Sequence, residues 1–238
     1  MSESNLQPQS ASKFRVLLVD DHPVVLGGYR VIFDAQPDLV VCAVAGDARS
    51  AVTMFEREKP DIVVTDMTLP GRSGLDLIKD LVALRPDTKI LVISMHDEQL
   101  WAERALKAGA KGYVMKESDN ATMLAAVRQV LAGGIYVSPA LAARVFSAFA
   151  SPRPRGSSES PIQKLSDREF EIFRLFGEGR TAKEIAAQLQ LSPKTVSVHR
   201  DHIKEKMRYE TSAEMIRQAV RWVESNPISS SEGNSLEA

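Results

Sequence analysis

The chain holds a single cysteine, Cys42, among 238 residues. One thiol excludes an intramolecular disulfide and any cysteine-cluster metal site. It lies in the apolar run Leu39-Val40-Val41-Cys42-Ala43-Val44, which predicts a buried structural thiol. No uninterrupted apolar run approaches the about 20 residues of a membrane span. The segment from Met1 to Ser12 is polar and lacks a basic start followed by an apolar core, so no signal peptide is expected. Together these absences predict a soluble cytoplasmic protein without a membrane partner. Net charge is also scarce, at -1, and by itself names no ligand. No Gly-x4-Gly-Lys-Ser/Thr string occurs, which argues against a P-loop nucleotidase. No internal repeat is visible.

What is present divides into two parts. Hydrophobic residues make up 44% of the chain, enough for a sizeable core. Residues 1 to 149 carry 16 Lys+Arg against 18 Asp+Glu, and residues 150 to 225 carry 14 against 11. A mildly acidic region thus precedes a mildly basic one, as two separate tasks would require. The Ser/Pro/Arg/Gly-rich stretch 151–161 reads as a flexible linker. Residues 1–13 and 226–238 read as disordered ends. The expected organisation is a first domain over 14–134, a connecting region over 135–163 and a second domain over 164–225. Within the connecting region a short helix is expected near 139–149, opened by Ser138-Pro139.

Within 14–134, β-branched runs at 14–19, 39–44, 61–65, 89–93 and 112–115 alternate with amphipathic helical patterns. Those patterns cover 23–35, 48–58, 75–84, 99–108 and 120–132. The runs are continuously apolar, as strands buried on both faces should be. This alternation predicts an α/β fold with a five-stranded, doubly wound parallel sheet. In such a sheet all strand carboxyl ends share one edge, where ligands bind. Asp20 and Asp21 follow the first strand, Asp66 ends another, Ser94 a third and Lys116 a fourth. Three carboxylates, a hydroxyl and an ammonium on one edge suit a divalent cation held beside a phosphoryl group. Magnesium prefers oxygen ligands and keeps several waters, so one or two carboxylates and a phosphate suffice. One of Asp20 and Asp21 can bind the cation directly and the other through water. Asp66 can serve as a third ligand or as a nucleophile. A phosphatase with an aspartate nucleophile is the enzyme alternative. Such enzymes place a second acid two residues on, where this chain has Thr68. An acyl phosphate formed here should therefore turn over slowly, as a signal does. His22 and His96 lie near the same edge and read as ordinary loop residues.

Residues 164–225 carry four short helical patterns. Ser166…Glu169 and Thr181…Glu184 are capping boxes, and Ser192-Pro193 is a cap followed by proline at the first helical position. Only Gln190 and Leu191 part Leu189 from Ser192. This smaller all-α helix–turn–helix unit suits double-stranded DNA. On the helix from Pro193, Val196, His199, Ile203 and Met207 share a core side at about 100° per residue. Lys194, Ser197, Val198, Asp201, Lys204, Glu205 and Arg208 share the opposite side, which should enter the major groove. Arg200 and Lys183 flank it and can reach phosphates. Asp201 can repel phosphate or accept from cytosine. On the last helix, Met215, Ile216, Ala219 and Val220 are candidates either for the unit's own core or for contacts with a second copy.

With these residues in place, 14–134 resembles a response-regulator receiver domain, of flavodoxin-like fold. The resemblance rests on Asp20-Asp21-His22-Pro23, Asp66 with Leu69-Pro70-Gly71 and Gly74, Ser94, and Ala108-Gly109-Ala110-Lys111-Gly112-Tyr113-Val114-Met115-Lys116. It implies that Asp66 accepts a phosphoryl group from a sensor histidine kinase. It implies that Asp21, Asp66 and the backbone carbonyl of Thr68 bind Mg2+, with Asp20 acting through water. Ser94, Tyr113 and Lys116 then sense the phosphate. Many receivers place a proline, often after a cis peptide, directly after the lysine; here Glu117 follows. Residues 164–223 resemble a LuxR-type DNA-binding domain through Leu165-Ser166-Asp167-Arg168-Glu169, Gly179, Lys183-Glu184-Ile185-Ala186, Leu191-Ser192, Thr195-Val196 and His199. Some relatives have lysine where Ser197 and Asp201 stand. The combination is similar to the NarL/FixJ class of response regulators. It implies a transcription regulator whose phosphorylation controls dimerisation and DNA binding. The accompanying expectation is that the unphosphorylated receiver covers the recognition helix. DNA binding without phosphorylation, with the receiver as a scaffold, and a hydrolase remain the alternatives.

Overall fold

The structure is a computed structural model and describes residues 13–95, 98–143 and 161–225. The first region runs β1(Phe14–Val19), α1(Pro23–Asp34), β2(Leu39–Ala45), α2(Ala48–Glu58), β3(Ile62–Thr65), α3(Gly74–Leu84), β4(Ile90–Ser94), α4(Glu98–Ala108), β5(Gly112–Met115) and α5(Asn120–Leu131). All the strand pairings are parallel, in the order β2-β1-β3-β4-β5. The chain therefore reverses direction of winding at β1 and β3, and Asp20 and Asp66 follow these two neighbouring strands. Ligand crevices form at such a reversal.

Side chains alternate across the sheet and build two apolar layers. Val16, Leu18, Val64, Leu91, Ile93 and Val114 face α1 and α5, against Phe33, Ala126 and Val130. Leu17, Val19, Val63, Val92 and Tyr113 face α2, α3 and α4, against Phe55, Leu77, Leu81 and Ala102. Central strands covered on both sides explain why their sequences are apolar at every position. Cys42 is on the edge strand β2 and is half-buried. Its thiol donates to the Val16 carbonyl at 3.3 Å, beside an irregularity in the β1–β2 register. Burial pushes its pKa up, as an unreactive thiol requires.

The segment after α5 returns along the outer edge of β5, where Tyr136 pairs with Gly112. A helix starts at Pro139 with the Ser138 hydroxyl accepting from Leu141 N at 3.1 Å. The expected remainder of that helix, most of the linker, both chain ends and His96 lie outside the described residues.

The second region begins with a 3-10 turn (Pro161–Lys164), followed by α6(Asp167–Gly177), α7(Ala182–Gln188), α8(Pro193–Met207) and α9(Ser212–Ser225). Both capping boxes form reciprocally: Ser166 with Glu169, and Thr181 with Glu184. Ser192 caps α8 by accepting from Thr195 N at 3.0 Å. Each such cap satisfies a backbone donor that the helix cannot satisfy itself. Helices α6 and α9 pack closely because Gly177 has no side chain: a Cβ there would lie 2.5 Å from the Ala219 carbonyl oxygen.

Candidate phosphoryl site and nucleic-acid face

The strand ends bring Asp20, Asp21, Asp66, Ser94 and Lys116 to one edge of the sheet. Asp20 and Asp66 are buried, at 2% and 6% exposure. The Lys116 ammonium lies between them, donating to Asp20 Oδ2 at 2.6 Å and to Asp66 Oδ2 at 2.7 Å. Burial alone would lower the Lys116 pKa, but the two carboxylates outweigh it and hold it above the usual lysine value. Asp66 goes the other way: burial outweighs the ammonium and raises its carboxyl above the ordinary aspartate range. The second Asp66 oxygen accepts from Met67 N at 2.6 Å, which fixes the plane of the carboxylate.

The loop after Asp66 is held by backbone contacts. Gly74 N donates to the Met67 carbonyl at 2.8 Å, and Thr68 bridges to Ser73. A Cβ on Gly74 would sit 2.4 Å from the Asp66 carbonyl oxygen, so only glycine permits this close approach. Ser94 and Tyr113 are wholly buried. Ser94 is tied into the edge by its carbonyl, which accepts from Lys116 N at 2.8 Å. Among the described residues there is no cis peptide, so Lys116–Glu117 is trans.

The residues fit a divalent cation. Asp21 Oδ1 is buried and accepts no hydrogen bond. His22 Nδ1 is only 2.8 Å away, but not in hydrogen-bonding geometry. Ligand atoms of Asp20, Asp21 and His22 lie within 4.8 Å of one another. Asp66 stands outside that cluster, turned to Lys116. His22, read from the sequence as an ordinary loop residue, belongs to this cluster. Its backbone N donates to Asp20 Oδ1 at 2.8 Å and its ring meets the same oxygen at 3.1 Å. Its position directly before the helix-opening Pro23 was the available signal.

On α8 the sequence-derived faces appear as expected. Val196 and Ile203 are fully buried, and His199 and Met207 partly so. Lys194, Val198, Asp201, Glu205 and Arg208 are exposed, with Ser197, Arg200 and Lys204 part-covered. Lys183, at the start of α7, is exposed as well. The Ser197 hydroxyl donates to the Pro193 carbonyl at 3.0 Å. Asp201 lies 3.9 Å from Arg200 Nε and 3.7 Å from Lys204 Nζ. Its charge is therefore offset by two cations on the same surface. Burial lowers the His199 pKa, and Arg168 adds to the effect.

Two expectations need correction. Met215 and Ala219 are 0% exposed, packed inside the unit between α6 and α9. They cannot meet a second copy, whereas Ile216 and Val220 remain partly exposed. Nor, among the described residues, does the receiver cover α8, the helix expected to enter the major groove. It meets α6 instead, where Trp101 of α4 packs edge-on to Phe170 with centroids 5.0 Å apart. Arg104 donates to Asp167 Oδ1 at 3.0 Å. Phe170 and Asp167 offer these side chains an apolar ring and a carboxylate, while the charged face of α8 stays hydrated at no desolvation cost.

Two family models match the chain: the response regulator receiver domain over residues 16–128, and bacterial regulatory proteins, luxR family, over residues 163–219. The chain belongs to the two-component response regulators that join a receiver to a LuxR-type DNA-binding domain. Among its relatives is the oxygen regulatory protein NreC of Staphylococcus carnosus (strain TM300), 33% identical over 210 residues, covering 87% of this chain and 97% of that protein. NreC of Staphylococcus epidermidis (strain ATCC 35984) is 35% identical over 211 residues, with the same coverage. A solved two-component response regulator of the LuxR family from Aurantimonas sp. SI85-9A1 is 38% identical. It covers 59% of this chain and 100% of its own, with a TM-score of 0.55. RcsB of Salmonella typhimurium shares the fold at 23% identity and a TM-score of 0.61, over 89% of this chain and 98% of its own. No helix among the described residues is long and apolar enough to cross a membrane.

Proposed function

We propose that Asp66 is the phosphoacceptor of a two-component pathway and that its phosphorylation controls how this regulator engages DNA. The observation that carries the reading is the buried Asp66 carboxylate, paired with Lys116 beside two further acids on one sheet edge. Asp66 attacks the phosphorus of a phosphohistidine on the partner kinase. An O–P bond forms, the P–N bond breaks, and its electron pair returns to the imidazole. Lys116 then passes from the carboxylates to a phosphoryl oxygen, and Ser94 donates to a second, with Tyr113 behind it. Asp21, Asp66 and the Thr68 carbonyl would hold Mg2+, with Asp20 acting through water, and the ion would supply positive charge to offset that of the phosphoryl oxygens. Thr68 stands where an aspartate phosphatase carries its acid, which favours a persistent acyl phosphate over turnover.

The kinase must bring its histidine to this edge. Val24 and Val31 on α1 are 87% and 72% exposed, and α1 starts directly after the acidic pair. An apolar strip beside the site suits a partner helix. At the other end, Lys194, Lys204, Arg208, Arg200 and Lys183 meet phosphates, while Ser197, Val198 and Asp201 face base edges. Ile216 and Val220 supply the contact for a homodimer on paired half-sites.

The test is incubation of the chain with acetyl phosphate and Mg2+, read by intact mass. The chain should gain one phosphoryl group and Asp66→Asn none. DNA affinity, measured on fragments selected from genomic DNA, should rise with the adduct. Equal affinity with and without it would sink the switch.

A further inference from the structure

Helix α1 contributes one more polar group to the edge that carries the phosphoryl site. Tyr29 lies in the second turn of that helix, which starts directly after the acidic pair. Helical side chains lean toward the N-terminus of their own helix, so the phenol leans back over Leu26 toward the strand ends. Tyr29 and Leu26 line one narrow crevice together with Asp20, Val64, Asp66 and Ile93. The ring packs on the apolar layer beneath α1 and lies 6.3 Å from the Phe33 ring, centre to centre.

Packing accounts for the ring but not for its hydroxyl, because phenylalanine would fill the same apolar place. A half-buried phenol usually finds a hydrogen-bond partner, yet among the described residues the Tyr29 hydroxyl makes no hydrogen bond. It is near enough to the site to feel three charges: burial raises its pKa, Lys116 works against that, and Asp20 and Asp66 add to it. The phenol therefore keeps its proton at neutral pH and can donate.

The acceptor follows from what Lys116 now holds. Its ammonium donates to Asp20 Oδ2 at 2.6 Å and to Asp66 Oδ2 at 2.7 Å. Asp20 Oδ1 is occupied separately, by His22 N at 2.8 Å. When Lys116 turns to a phosphoryl oxygen, Asp20 Oδ2 loses its donor in a carboxylate that is 2% exposed. A buried acceptor left without a donor is costly. Two hydroxyl-bearing side chains line the crevice, Thr65 and Tyr29. Thr65 Oγ1 already donates to the Asp66 carbonyl at 3.0 Å, which leaves Tyr29.

We propose that the Tyr29 hydroxyl is a positioning group for the phosphorylated state, donating to Asp20 Oδ2 as Lys116 turns to the phosphoryl group on Asp66. This rests on the phosphoacceptor reading above and deepens it. Tyr29 does not touch the phosphorus; it acts through Asp20 and Lys116. The exchange lets the ammonium leave without stranding a buried carboxylate. It favours the adduct and adds nothing to the stability of the unphosphorylated chain.

The experiment uses the full chain and Tyr29→Phe, which keeps the ring and removes only the oxygen. In chelator the variant should melt with its parent. With Mg2+, the phosphoryl mimic BeF3- should need about tenfold higher concentration to half-occupy the variant, read by fluorine NMR of the bound ion, as the loss of one hydrogen bond to a charged acceptor implies. The chain has four tyrosines, so the Tyr29 absorbance is isolated by subtracting the variant from the parent. That difference band should shift red on adding BeF3-. Equal BeF3- midpoints in the two chains overturn the proposal. So does a variant that melts earlier in chelator, since the hydroxyl would then be structural before any phosphoryl group arrives. If the parent takes up neither BeF3- nor the phosphoryl group of acetyl phosphate, the phosphoacceptor reading fails and the Tyr29 role with it. If the parent takes up both and the variant matches it, the Tyr29 role alone falls.

Discussion

The receiver and the DNA-binding unit use charge in opposite ways. At the phosphoryl site the carboxylates are buried and bound to a nearly buried ammonium, with Lys116 2.6 and 2.7 Å from its partners. On α8 the cations lie at the surface, and Asp201 is no nearer than 3.7 Å to either neighbour. Buried charges interact strongly and respond sharply to one added group. Exposed cations interact weakly with each other, and so remain ready to exchange water and counterions for phosphates. In the function proposed above, the receiver is the part that changes state, and the DNA-binding unit presents the same face in either state.

Removing Lys116 should expose this contrast most strongly. Lys116→Ala leaves Asp20 and Asp66 buried without their cation, and should destabilise the receiver by about 4 kcal/mol in chelator. Mg2+ at about a hundredfold over its Kd should restore about 2.7 kcal/mol of that. A melting temperature as insensitive to Mg2+ as a surface-lysine variant would break the contrast. Gly74→Ala comes next, at about 3 kcal/mol, because the new methyl meets backbone rather than a movable side chain. Urea unfolding checks it, and a loss under about 0.5 kcal/mol would mean the loop after Asp66 is not held as described.

On the exposed side the effects should be smaller and salt-dependent. Lys204→Ala should weaken DNA binding about equally on all fragments and reduce the magnitude of the salt slope by about 1. Val198→Ala, apolar and 45% exposed, should instead alter preference at a single base position. A unit slope change for Val198→Ala, with none for Lys204→Ala, would reverse the assignment of the face. The smallest effect concerns pH. Burial lowers the His199 pKa from 6.5, so the unfolded chain binds more protons near that value. Stability from this group is fully present above the unfolded pKa and is lost as pH falls through it. The DNA-binding unit should melt earlier at about pH 5.5 than at about pH 7.5, and His199→Gln should flatten the difference. An unchanged difference in the variant would overturn the assignment to His199. Burial works to raise the Glu169 pKa, but Lys206 and the Ser166 cap outweigh it and hold it below its ordinary 4.5, so that group loses stability only at more acid pH, outside this window.

Much of this was legible before any coordinates. The capping boxes at Ser166 and Thr181 involve residues three apart, so their partners are local and need no tertiary information. The convergence of Asp20, Asp66, Ser94 and Lys116 follows from parallel strand order alone. The faces of α8 follow from helical periodicity, which placed Val196 and Ile203 inside and Val198 outside. Pairings between distant segments were not legible. Nothing local distinguishes Met215 and Ala219, now in the core, from Ile216 and Val220 one position further round. His22 looked like a loop residue because its ring's neighbours are set by how β1 meets α1.

Composition and pattern thus determined the two folds, the cluster of polar strand ends and the buried and exposed faces of α8, because each depends on residues in fixed local registers. Tertiary packing decided where the two units meet. The Arg104 contact with Asp167 spans 63 residues, and no local pattern links the two side chains. Only the shapes of α4 and α6, brought together around Trp101 and Phe170, select that partner over any other exposed acid on the chain.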